Sequence, residues 1–120
     1  MKLFVLSTLI VGVFAQAEAI DCKATFSDMR NGKFVSGEAK LVKTDATPGT
    51  LKLEADLDAA GFSFFIDLPT QNYFLSIALA PEYIDGTVTG GQWVKDQREI
   101  RLSKIKGETV YKLECTRQNP

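Results

Sequence analysis

The sequence predicts a single all-β domain. It reads as one antiparallel meander of seven or eight strands, forming a small barrel or a flattened sandwich. Three observations carry that prediction. Short apolar runs recur about every 8 to 14 residues, separated by Gly, Pro, Asn and Asp. Within the runs, apolar and polar residues alternate with the period of a strand that has one wet face. The chain's two cysteines, Cys22 and Cys115, fall in the first and last of these runs. A bridge between them requires those strands to lie side by side, since the Cα atoms of a disulfide stand within about 7 Å.

The chain opens with an export signal. Met1-Lys2 is a short basic start, Leu3 to Phe14 is free of charge, and Ala15-Gln16-Ala17-Glu18-Ala19 offers two small-x-small cleavage sites. Residues 1–19 therefore read as a signal peptide cleaved after Ala17 or Ala19, and residues 20–120 as one domain. The apolar run is about a dozen residues, short of the roughly 20 that cross a bilayer. Ile20-Asp21 before Cys22 is not the small-residue context that lipid attachment needs. The expected location is the periplasm or the extracellular space, where a disulfide is the default fate of two cysteines.

Cys22, Ala24 and Phe26 alternate with Lys23, Thr25 and Ser27 as the first strand. Arg30-Asn31-Gly32-Lys33 is its turn, because Asn-Gly readily takes positive φ angles. Val35, Gly37, Ala39 and Leu41 form the inner side of the second strand, and Asp45 to Gly49 turns into a third, Leu51 to Leu57. Leu68 and Tyr73, flanking Pro69 to Asn72, set Ile66 opposite Leu75, Phe64 opposite Ile77 and Phe62 opposite Leu79. A turn at Lys106-Gly107 sets Leu102 opposite Tyr111, Ile100 opposite Leu113 and Arg98 alongside Cys115. Thr87 to Val94 is a further strand, and a turn at Asp96-Gln97 places Trp93 inside, opposite Ile100.

Composition excludes more chemistry than it suggests. Histidine is absent from all 120 residues, which removes the commonest general base, the commonest zinc ligand and every Ser-His or Cys-His nucleophile. With both cysteines bridged, thiol chemistry is excluded as well. The remaining carboxylate pairs, Asp56 with Asp58 on one strand and Glu82 with Asp85 in one loop, read as solvated surface charge. No catalytic set, metal site or cofactor is expected. A net charge of −1, with lysines scattered singly, argues against a nucleic-acid partner.

One face breaks the pattern. Phe65 and Phe74 fall opposite to Phe64 and Leu75, as diagonal neighbours flanked by Ser63, Ser76 and Ala78, with Asp67 the only charge. Either this is an exposed apolar patch that receives a partner, or the segment is buried on both faces beneath the Pro81 to Asp85 loop. That loop, with Pro81, Glu82, Tyr83 and Asp85, is itself a candidate binding element.

The function expected is therefore binding of another protein. In size and plan the chain resembles small exported inhibitors of lysozymes and metalloproteases, and inhibition of a secreted hydrolase is the activity that plan implies. An alternative is a carrier of a small apolar ligand, although Phe62, Phe64, Ile66, Leu75, Ile77, Trp93 and Tyr111 are bulky enough to fill the interior. A structural role in a cell envelope is a further alternative.

Overall fold

The computed structural model describes residues 20–45 and 47–117. The predicted signal peptide and its cleavage sites lie outside the described residues. Among the described residues there are nine strands: β1 (Ile20–Arg30), β2 (Lys33–Lys40), β3 (Val42–Asp45), β4 (Thr50–Leu57), β5 (Ala60–Asp67), β6 (Asn72–Leu79), β7 (Asp85–Gln92), β8 (Glu99–Lys106) and β9 (Thr109–Arg117). They form two antiparallel sheets, ordered β2-β1-β9-β8 and β3-β4-β5-β6-β7. The sheets pack face to face without closing, so the architecture is a sandwich rather than a barrel.

The chain changes sheet twice. Leu41 makes the first crossing with no loop at all: its N–H bonds the Cys22 carbonyl at 3.0 Å and its side chain is buried between the layers. Trp93 makes the second. Its backbone N–H bonds the Gln71 carbonyl at 2.8 Å, and its indole Nε1 donates to the Gln97 carbonyl at 2.6 Å. Trp93 is only 1% exposed, with its ring edge-on to Phe64 and Tyr73 and the Arg117 guanidinium 4.5 Å from its centroid. Trp93 is thus inside, as expected, but not by the expected route. β7 and β8 lie in different sheets, so the hairpin opposing Trp93 to Ile100 does not form.

The cysteines close the circuit. Cys22 and Cys115 are directly opposed on β1 and β9, their Cα atoms 4.0 Å apart and their sulfurs bonded. The first and last strands are joined as predicted, and the bridge lies within the core beside Ala24 and Leu113.

Two hairpin registers differ from expectation, each by two residues. β5 pairs with β6 as Ile66 to Tyr73, Phe64 to Leu75, Phe62 to Ile77 and Ala60 to Leu79. The loop is Leu68 to Gln71, closed by Gln71 at φ +65° and by its N–H on the Asp67 carbonyl at 2.7 Å. β8 pairs with β9 as Leu102 to Leu113 and Ile100 to Cys115, with the turn at Gly107-Glu108. Gly107 takes φ +62° at the first turn position, the place glycine holds in a type II′ turn. A shift of two leaves every side chain on its face, so alternation alone could not distinguish these registers. The Asn31-Gly32 turn, with φ +53° and +75°, forms as read.

Candidate functional site

The register builds the candidate surface row by row on the outer face of the five-stranded sheet. Lys52, Phe65, Phe74 and Gly90 are register partners across β4, β5, β6 and β7. The next row is Glu54, Ser63, Ser76 and Val88, and the next Asp56, Gly61, Ala78 and Gly86. From β5 to β7 these three rows contain no charge. Phe65 and Phe74 are therefore direct cross-strand partners, rather than the diagonal neighbours expected from the shifted register.

The small residues of this face form a floor. The hydroxyls of Ser63 and Ser76 share one hydrogen bond at 2.7 Å. Gly86 and Gly90 are required by close approach. A Cβ on Gly90 would stand 2.9 Å from both the Phe74 ring and the Tyr73 carbonyl oxygen, and one on Gly86 would run into the Ile77 carbonyl oxygen. The Phe74 ring consequently lies across β7 at Gly90.

Exposure decides between the two readings of the aromatic pair. Phe74 is 57% exposed and Val88 is 64% exposed, while Phe65 is partly buried. The Pro81 to Asp85 loop does not cover them. Pro81, Glu82, Tyr83 and Asp85 are all exposed themselves, and Tyr83 adopts φ +61° with its ring against Gly61 at the other end of the floor. Tyr83, Glu54, Asp56 and the Ser63–Ser76 floor enclose a concavity of about 530 Å³. The loop thus forms a wall of the surface.

The outer face of the other sheet is a contrast. It carries Lys23, Glu38, Lys40, Lys112, Glu114, Glu99 and Arg101, with Lys23 beside Glu114 and Arg101 beside Glu114. It is an ordinary solvated face, apart from exposed Met29, Phe34 and Ile105 near the β1–β2 tip. Val88 and this second apolar group were missed in sequence. Val88 is bounded by Thr and Gly, and its direction follows only once β7 is registered on β6.

One carboxylate of each predicted pair is held by cations. Asp56 lies on the outer face of β4, whereas Asp58 leaves the strand and takes φ +57° in the β4–β5 turn. Asp58 accepts from Arg30 Nη2 at 2.8 Å and from the Tyr111 hydroxyl at 3.0 Å. The Arg30 bonds hold its carboxyl below the usual range, against the opposing effect of burial, with the Ala59 N–H and Tyr111 adding to them. Arg30 also grips Asp28 at 2.7 Å, and its own pKa is driven further up by Asp58 and Asp28. Such a carboxylate has no proton to give at neutral pH and sits in a structural tie. Asp85 is lowered in the same sense by Lys104 and Lys106, at 3.1 and 3.3 Å.

Compared with protein-family models, curated proteins and solved structures, the chain matches none of them.

Proposed function

We propose that this is an exported protein-binding domain whose target docks on the outer face of β5, β6 and β7. The observation that carries the reading is Phe74. A large aromatic side chain lies more than half exposed on an uncharged floor, with Val88 beside it and Tyr83 at the far end. Aromatics on a small, polar, uncharged floor, with charge at its margins on β4 and at Asp67, match the core-and-rim anatomy of protein interfaces. Glu54 and Asp56 at that rim favour a target with an apolar anchor flanked by a cation. The buried disulfide is compatible with an oxidising compartment, periplasmic or extracellular. Inhibition of a secreted hydrolase is the activity such docking would serve.

The filled interior favours this reading over a carrier. Phe62, Phe64, Ile66, Leu75, Ile77 and Trp93 are all essentially inaccessible and packed as one cluster.

The test is a binding assay of the immobilised mature domain against the exported fraction, followed by hydrolase assays on whatever is retained. Phe65→Ser with Phe74→Ser should keep the melting temperature near that of the parent and abolish retention. Equal retention by parent and variant would remove this face from consideration.

A further inference from the structure

A sandwich of two open sheets has four edge strands, and each presents unpaired backbone groups to any passing chain. Three of the four are blunted here. β2 carries Lys33, Glu38 and Lys40, and β8 carries Glu99, Arg101, Lys104 and Lys106. β3 is only four residues long, with Lys43 and a register irregularity. β7 has none of these devices. From Gly86 to Gln92 it contains no charge and no proline, and its residues are exposed or partly exposed throughout. Asp85, its one charge, stands at the start and is held by Lys104 and Lys106.

The direction of its free groups follows from the ladder. Trp93 N–H bonds Gln71 on the β6 side, continuing the pairing of Gln92 with Asn72. Alternation along an antiparallel strand then turns the N–H and C=O of Gly86, Val88, Gly90 and Gln92 to the open edge.

We propose that β7 pairs antiparallel with β7 of a second copy, about a two-fold axis at Thr89, making one continuous sheet of ten strands. That register sets Gly86 opposite Gln92 and Val88 opposite Gly90 of the other copy, all edge-facing positions, and gives eight backbone hydrogen bonds by the antiparallel pattern. No like charges meet. Self-pairing of β2 or β8 about its own centre would oppose Lys33 to Lys40, or Arg101 to Lys104. Shape agrees as well. Val88, 64% exposed, comes to lie over a glycine that already has the Phe74 ring across it, so each copy's Val88 covers the other's Phe74. The two sets of uncharged β5–β7 rows then lie side by side, which doubles the platform whatever it binds.

The test is sedimentation of the mature domain over a concentration series, with amide hydrogen exchange read in parallel. The parent should rise from monomer to dimer mass, and Val88 and Gly90 amides should gain protection as it does. Val88→Pro removes an edge-facing N–H that β6 does not use, and should stay monomeric with an unchanged melting temperature. Val88→Lys, on an exposed outward position, is the second variant and should weaken dimerisation at least tenfold. A parent that stays monomeric throughout, including one that instead pairs with an added extended peptide, overturns the proposal. So does a dimer that both variants form equally well. Neither outcome bears on target docking, which is read separately through Phe65 and Phe74.

Discussion

Arg30 and Asp58 tie the two sheets together at one end of the sandwich. Arg30 ends β1 and Asp58 turns the chain from β4 into β5, yet the Arg30 Nη2 lies 2.9 and 2.8 Å from the two Asp58 carboxylate oxygens. Tyr111, from β9, donates its hydroxyl to the same carboxylate. Three elements distant in sequence thus meet on one side chain that is 15% exposed.

Acid should loosen this tie. The folded-state pKa of Asp58 is depressed, so the carboxylate contributes stability that is fully present above its unfolded value of about 4. That contribution is lost as pH falls through the folded value. Urea midpoints should therefore drop below about pH 4 in the parent. Asp58→Asn should be less stable at neutral pH and fall less steeply on acidification. Parallel curves for the two proteins would contradict this.

Tyr111 reports on the same contact from the alkaline side. Burial first, and the hydrogen bond to Asp58 second, push its hydroxyl above the ordinary tyrosine range. The folded value is raised, so the stability it contributes is present below about pH 10 and is lost as pH rises through the folded value. Tyr111→Phe should cost about 1 kcal/mol at neutral pH, the usual net worth of one such hydrogen bond, and should delete a step above the ordinary tyrosine range from an absorbance titration. A titration unchanged by the substitution would contradict the assignment.

These long-range ties mark where sequence stops being legible. Most strands, their inward and outward faces, the Asn31-Gly32 turn and the Cys22–Cys115 pairing follow from local pattern, whereas the short β3 was not read. The partition into two sheets does not follow from it. Leu41 and Trp93 cross between layers inside runs that alternate like any other strand, because both crossings keep an apolar side chain pointing inward. The two registers slipped by two for a related reason: Gln71 and Gly107 choose the turn through their φ angles, which the alternation does not record. Phe65 and Phe74 were placed on the right face in sequence, whereas their exposure depended on where the Tyr83 loop lay.

The disulfide should dominate stability. It joins positions separated by 93 residues, and cross-linking a loop of that length is worth about 4 to 5 kcal/mol in the chain-entropy model. Cys22→Ala with Cys115→Ala should lower the urea-derived stability by that order, leaving a marginal fold. Alkylation of the oxidised parent without reductant should label neither thiol. A double variant as stable as the parent would show that β1 and β9 hold together without the bridge.

Trp93 should be the most sensitive side chain of the second crossing. It is the chain's single tryptophan, so its emission should be blue-shifted in the folded state and move red on unfolding. Trp93→Phe keeps an aromatic ring but loses the Gln97 hydrogen bond, and should cost about 1 to 2 kcal/mol. Trp93→Ala should cost about 3 to 5 kcal/mol, the range for an emptied aromatic site. Equal costs for the two would mean that packing against Phe64 and Tyr73 contributes little.

The glycines of β7 separate close approach from mere flexibility. Gly86 and Gly91 occupy the same exposed strand and both have ordinary negative or extended backbone angles, so conformational freedom does not distinguish them. Their surroundings do. An added Cβ on Gly86 meets the Ile77 carbonyl, part of the β6 backbone, which cannot move without disturbing the ladder. On Gly91 the nearest atom is the Tyr73 hydroxyl oxygen at 3.6 Å, an ordinary contact. Gly86→Ala should therefore destabilise by about 1 to 3 kcal/mol, as an overpacked site does. Gly91→Ala should be neutral or slightly stabilising, because alanine restricts the unfolded chain. Thermal melts of the two variants side by side decide the matter, and a reversed order would mean that β7 lies farther from β6 than the ladder implies.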